Sequence, residues 1–372
     1  MKAEWALKTF DDVLEIRNGK NQREVESESG EFPIFGSAGN VMGYATSYIC
    51  EAGTTIIGRK GNINTPIFAT TKFWNVDTAF GLAAKPCLND KFLFYYCLSY
   101  DFSLLNRGTT IPSLVKSELL HIQIPLPPLP EQHRIVTLLD QAFDQIATAK
   151  ANAEANLRNA RALFESHLQG VFERRGDGWE IKSLKELTTT LGDGLHGTPI
   201  YSEDGDYHFI NGNNLMDGKI EFKLSTKKVS IDEFIKYKKN LTDRTILVSI
   251  NGTLGNVAFY NGEKVILGKS ACYFNLKSGI EKNYIKHLLL SPYFFDYAHR
   301  EATGATIKNV SLKTMREFDI PLPPLIEQQK IVFELDSLNV KIQRLEALYQ
   351  QKLTALEALK KSLLHQAFSG LL

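Results

Sequence analysis

One stretch of this chain occurs twice. The segment IPLPPLPEQHRIVTLLD, Ile124 to Asp140, returns as IPLPPLIEQQKIVFELD, Ile320 to Asp336, with twelve of seventeen positions identical. The same offset of 196 carries Gly108-Thr-Thr-Ile onto Gly304-Ala-Thr-Ile and Phe172 onto Phe368. Near the starts, EWALKTFDDV from Glu4 resembles GWEIKSLKEL from Gly178, with Trp5 over Trp179. A repeat of this length makes two related units, the second about twenty residues longer inside its globular part.

Each unit reads as a globular segment, a Pro-rich hinge and a long helix. β-rich runs between glycines, such as TTIIGRKGNINTPIF and RTILVSINGTLGNVAFY, alternate with helix-like stretches at Lys91 to Leu105 and Glu281 to His299. The fold class is α/β in the mixed α+β sense. The predicted divisions are a first globular domain at 1–124, hinge and central helix at 125–175, a second globular domain at 176–320, and hinge and C-terminal helix at 321–372. The Pro-Leu-Pro-Pro hinge denies helix to the residues before it and favours an extended approach.

After each hinge the apolar period becomes helical. Ile331, Leu335, Leu338, Ile342, Leu345, Tyr349, Lys352, Leu356, Leu359 and Leu363 alternate by four and three, the spacing of a coiled-coil seam. The first copy offers Ile135, Leu139, Ala142, Ile146, Ala149, Ala153, Asn156, Ala160 and Leu163. About forty helical residues make a rod of roughly 60 Å. Chain order makes the two helices antiparallel, and the two globular segments a pseudo-twofold pair. Such an object suits a reader of two DNA half-sites, and equally a two-headed scaffold with no DNA role.

Composition excludes several classes. With 43% apolar and 23% charged residues the chain is ordinary globular protein. A net charge of +1 means that any DNA footprint is local or shared with a more basic partner. Cys50, Cys87, Cys97 and Cys272 form no CxxC pair and read as free thiols of a cytoplasmic protein. The start lacks a signal-peptide core, and the longest apolar run, Phe92 to Tyr100, is too short to span a bilayer. Gly268-Lys269-Ser270 imitates a P-loop, but Glu263 stands where its first glycine is required. Glu221-Phe-Lys223 has no second element of a nuclease metal site, and no HExxH, GxSxG or Asn-Pro-Pro-aromatic motif is present. The chain therefore reads as non-catalytic, with no metal of its own.

Candidate contact residues lie in turns. Arg59-Lys60-Gly61-Asn62 displays two cations and an amide between β-rich runs. Arg to guanine and Asn to adenine are common major-groove pairs, and Lys suits phosphate. Lys20, Asn40 and Tyr44 lie in similar Gly-rich turns. The matching turn of the second unit, Ser249-Ile-Asn251-Gly-Thr253, is polar but uncharged. His196 and Thr198 in DGLHGTP, with Asn213 beyond, add an imidazole and amides. Thr109 in the first unit, and Thr306 and Lys308 in the second, recur just before the hinges, where loop amides and hydroxyls suit phosphates. Taken alone, turns of this composition are more often solvated loops, and the turns before the hinges serve equally to orient the hinge.

With the repeated PLPPLPEQ and PLPPLIEQ hinges and the paired helices in view, the chain resembles the specificity subunit of type I restriction–modification enzymes over essentially its whole length. The resemblance implies two target recognition domains, each reading one half of an interrupted DNA target. It implies helices that bind two modification subunits, which supply S-adenosylmethionine and adenine N6 methylation. It implies restriction subunits that add ATP- and Mg-dependent translocation and cleavage, so that no cofactor belongs to this chain. The IIGRKG and DGLHGTP segments look like recurrent recognition-domain motifs, which brings Arg59, Lys60, His196 and Thr198 forward.

Overall fold

The computed structural model describes residues 5–37, 39–174, 176–304 and 308–372. They divide into two compact units: residues 1–154 with 350–372, and residues 155–349. Both long helices, Leu129–Glu173 and Leu325–Phe368, therefore contribute to both units.

The proline hinges form strands before they lead into helix. Gln123–Leu126 pairs antiparallel with Ala6–Thr9, and Asp319–Leu322 with Glu180–Ser183. In both hinges a proline sits inside a two-stranded ribbon, Pro125 opposite Leu7 and Pro321 opposite Ile181. A residue without an N–H is tolerated there because one side of each ribbon has no ladder to complete. The hinge glutamine then fixes the join. Gln132 is fully buried; its Nε2 donates to Pro127 O at 2.8 Å and Cys87 O at 3.0 Å, and its Oε1 accepts from Asn89 N at 2.7 Å. Gln328 repeats the arrangement, donating to Pro323 O at 2.8 Å and accepting from Glu281 N at 2.9 Å.

The globular parts share one topology. A four-stranded antiparallel sheet orders Leu14–Asn18, Ala79–Ala84, Thr55–Gly58 and Ile67–Phe68 in the first unit. In the second the order is Thr188–Gly192, Ala271–Leu276, Thr245–Ser249 and Val257–Phe259. A three-stranded sheet follows in each. Phe32–Phe35 lies between Val41–Ala45 and the parallel Trp74–Asn75, and Tyr207–Ile210 between Lys228–Val229 and the parallel Val265–Leu267. The extra length of the second unit falls largely between Tyr207–Ile210 and Thr245–Ser249, as a short hairpin (Leu215–Met216 with Lys219–Ile220) and the helix Ile231–Tyr237. The helix-like stretches break in two. Asp90–Ser99 is followed by the 3-10 turn Phe102–Leu105, and Lys282–Leu289 is separated from Pro292–Glu301 because Pro292 fits the first turn of a new helix.

Within each unit the helix segments run antiparallel. In the first unit Arg134 meets Leu372 O at 2.9 Å and Lys150 meets Glu357 at 2.7 Å, so one index falls as the other rises; in the second Arg161 meets Glu346 at 2.6 Å, while Leu168 and Phe172 share a core with Leu335 and Ile331. The apolar seam departs from a strict four–three alternation. Lys352 and Asn156 are exposed while Leu353 and Leu157 beside them are partly covered; Leu163 is 60% exposed and Phe164 and Leu168 pack inward instead. A helix of 3.6 residues per turn drifts about 20° per heptad from a 3.5 repeat, and the buried face moves one residue along to follow it.

The cores close with the helix ends. Leu364, Ala367 and Phe368 join the first core, where Phe368 meets Phe92 edge-on at 5.1 Å. Leu168 and Phe172 join the second, where Phe172 meets Tyr284 at 5.4 Å. Head and helix are also linked by a polar contact. Tyr95 and Lys91 both donate to Asp140, and the second unit has His287 Nε2 against Asp336 Oδ1 at 2.8 Å.

Burial holds the His287 imidazole below its usual 6.5, against the pull of the Asp336 carboxylate and with Lys286 acting in the same direction as burial. A histidine with a lowered pKa favours the neutral form in the fold and takes up a proton more readily when unfolded. The associated stability is full above about pH 6.5 and is lost as pH falls through the lowered value. His287→Tyr, copying Tyr95, keeps a donor to Asp336 that does not titrate in this range. Thermal unfolding of the variant, followed from about pH 7 to about pH 5, is expected to lose part of the acid sensitivity of the native chain. An identical pH profile contradicts this role of His287.

Candidate nucleic-acid interface

In the first unit the segment Asn75–Ala79 is the spine of an exposed edge. On one side Gly19 N donates to Ala79 O at 3.1 Å and Lys20 N to Asn75 O at 3.0 Å. On the other, Arg59 N and Lys60 N both donate to Thr78 O, at 2.8 and 3.1 Å. A second loop closes over that turn: Leu114 N donates to Arg59 O at 2.8 Å and Gly61 N to Pro112 O at 2.9 Å. Gly61 adopts φ +85°, which a side chain would strain.

This wiring brings Lys20, Arg59, Lys60, Asn62 and the loop carrying Thr109 to one edge, all five exposed. The Arg59 guanidinium donates to Asp77 O at 3.3 Å and lies 5.8 Å from the centroid of Phe80, which limits its sweep. Asn40 is exposed in the adjoining turn, whose Ser37 lies within van der Waals reach of a Cβ built on Gly61. Tyr44 is half exposed but stands further along its strand, opposite Pro33, away from the turn cluster.

The second unit repeats the wiring with other side chains. Ile250 N donates to Ser270 O at 3.0 Å, Val310 N to Ile250 O at 2.8 Å and Gly252 N to Lys308 O at 3.1 Å. Arg59 therefore corresponds to Ile250, which is 4% exposed, and Lys60 to Asn251, whose Nδ2 donates to Asn309 Oδ1 at 3.0 Å. Thr253 and Lys308 are exposed on this turn pair; Thr306 lies outside the described residues.

The loop of His196 and Thr198 enters through Leu195 N, which donates to Leu267 O at 2.7 Å. Both side chains are exposed, and the His196 ring is 2.6 Å from Asp193 Oδ2. Exposed Asn213 follows Gly212, whose N–H donates to Ser270 Oγ at 2.9 Å; that hydroxyl donates to Asn211 Oδ1 at 3.0 Å. Lys223 Nζ reaches Asn213 O at 2.7 Å. Lys269, at the tip between Gly268 and Ser270, is exposed at the centre of this edge. The P-loop-like spelling of Gly268-Lys269-Ser270 hides that lysine, whose place emerges only from the hydrogen-bond register. Exposed amides, hydroxyls and ammonium groups of this kind can donate to phosphate oxygens and base edges. Among the described residues no group of three His, Cys, Asp or Glu side chains is placed to hold a metal, and no helix is long and apolar enough to cross a membrane.

A family model described as type I restriction modification DNA specificity domain matches residues 2–157 and 176–357. The type I restriction enzyme MjaVIII specificity subunit of Methanocaldococcus jannaschii is 25% identical over 86% of this chain and 76% of its own length. The EcoDI specificity subunit of Escherichia coli is 20% identical over 100% of this chain and 89% of its own. A solved chain from a study of the assembly and conformational transition of the type I R-M system shares the fold with TM-score 0.80 at 19% identity, covering 100% of this chain and 99% of that one. The HsdS subunit from Thermoanaerobacter tengcongensis follows with TM-score 0.61 at 19% identity, covering 100% and 98%.

The loop of His196 depends on Gly194. A Cβ there would stand 2.0 Å from Leu267 O, a backbone atom. Gly194→Ala is expected to cost about 1–3 kcal/mol through overpacking, and to speed hydrogen exchange at the amides of Leu195 and Gly268. Native exchange at both amides would show that the loop is not held in this way.

Proposed function

Because the chain belongs to the type I restriction–modification DNA specificity family, we propose that its two units read the two halves of one interrupted DNA target. Its role is DNA sequence specificity. The observation that carries the bipartite reading is the repeated edge: two turns held by the same backbone hydrogen bonds, one in each unit, presenting different side chains. Equal scaffolds with unequal contact residues suit two half-sites of unlike sequence. Recognition belongs to residues 1–124 and 176–320, through Lys20, Asn40, Tyr44, Arg59, Lys60, Asn62 and Thr109 in one and His196, Thr198, Asn213, Asn251, Thr253, Thr306 and Lys308 in the other.

The helical portions, 125–175 and 321–372, serve assembly. They seat two modification subunits, and restriction subunits join through these. Exposed apolar side chains on the second helix, Ile326 at 82%, Phe333 at 76% and Val340 at 64%, support this role, since a helix face of that kind is normally covered. The chain itself has no catalytic step in this scheme: S-adenosylmethionine, ATP and Mg belong to the partner subunits.

Mapping N6-methylated adenines in a host that expresses the chain with its modification subunit tests the reading. A target of two short sequences separated by a non-specific gap is expected, and an uninterrupted target contradicts it. Arg59→Ala should relax one half only, at a cost of about 1–3 kcal/mol, the worth of one bidentate hydrogen-bond pair to a base. Equal effects on both halves, or none, would remove Arg59 from base reading.

A further inference from the structure

The cations of the two edges are placed differently, and the exchange is ordered. In the first unit Ala79 N donates to Val76 O at 3.0 Å, closing a tip at Asp77; in the second Ala271 N donates to Gly268 O at 3.0 Å, closing the same tip at Lys269. Across this tip lie Arg59 and Lys60 in the first unit, Ile250 and Asn251 in the second. The first edge thus faces cationic turn to acidic tip, and the second neutral turn to cationic tip. The segments between the sheets follow the same trend. Residues 36–54 of the first unit contain no lysine or arginine, whereas the corresponding residues 211–244 of the second carry seven lysines, one arginine and five carboxylates.

From that inversion we infer that Lys269 and Lys223 are phosphate-contacting cations of the second unit, beside Lys308, and take the place that Lys60 holds in the first. Both are exposed. They are also joined: Lys223 Nζ holds Asn213 O at 2.7 Å, and Gly212, next to Asn213, donates to the hydroxyl of Ser270 beside Lys269 at 2.9 Å. Lys269 has no carboxylate partner among the described residues, so its charge is available to an anion. The partner chemistry is the DNA backbone. A lysine is a flexible point charge, fitted to a phosphate oxygen more than to the planar edge of a base.

This inference rests on the bipartite reading, and its test separates the two. The probes are a duplex carrying the target found by adenine-methylation mapping, and one in which the half left intact by Arg59→Ala is scrambled. The full chain with its modification subunits is titrated with each duplex across a range of salt. Removing one lysine–phosphate pair flattens the plot of log affinity against log salt by about 0.9. Lys269→Ala is therefore expected to flatten it by about 0.9, to weaken both duplexes several-fold, and to leave their ratio unchanged. Lys269→Arg should restore the slope, and Lys223→Ala with Lys269→Ala should flatten it by about 1.8. An unchanged slope for Lys269→Ala overturns the inference, as does a collapsed duplex ratio at constant slope. If the unsubstituted complex binds the two duplexes alike, the half-site reading falls, whatever the slope does.

Discussion

Neither globular segment completes its core from its own copy of the repeat. The first core takes Leu364, Ala367 and Phe368 from the second long helix, and the second takes Leu168 and Phe172 from the first. Truncating a buried phenylalanine such as Phe172 costs about 3–5 kcal/mol, a large share of what a domain has in hand. The core around Phe92 and Tyr96 is closed by Phe368, in the last turn of the C-terminal helix. The buried glutamines Gln132 and Gln328 then set how each helix leaves its head, satisfying backbone groups that would otherwise be stranded at a buried joint.

Upon that shared frame the two contact edges are free to diverge. Backbone hydrogen bonds hold the turns at Arg59 and Ile250 in one conformation, so the side chains can change without changing the turn. One copy presents arginine and lysine; the other buries an isoleucine, pairs Asn251 with Asn309 and presents a lysine on the opposite tip. The near-neutral total of the chain is compatible with DNA recognition because a local group such as Lys20, Arg59 and Lys60 sets the field at its own edge, while the helices carry mixed charges in pairs such as Lys150–Glu357 and Arg161–Glu346.

The repeat made the helices, the hinges and the antiparallel order legible, because identical hinge residues force identical joints. The position of the seam was less legible: a four–three count places Lys352 and Leu163 inward, whereas helical drift hands those places to Leu353 and Phe164. The three-stranded sheets could not be read either. Their parallel partners include the two-residue Trp74–Asn75, too short to show alternation, and are joined from distant parts of the chain. Among the candidate contact residues, the Arg59 turn stood out because Gly61 breaks a strongly β-forming run. Lys269 did not, since its equivalence with Asp77 is a matter of hydrogen-bond register, and the two segments share no motif.

In the proposed reading the two heads are interchangeable readers on one frame. A chain in which residues 180–322 are replaced by residues 6–126, joined strand to strand at the hinges, tests that claim most directly. Expressed with the modification subunit, it is expected to methylate an interrupted target in which the half-site of the first unit occurs on both sides of the gap, once on each strand. Persistence of the original second half-site in the methylation map would contradict it.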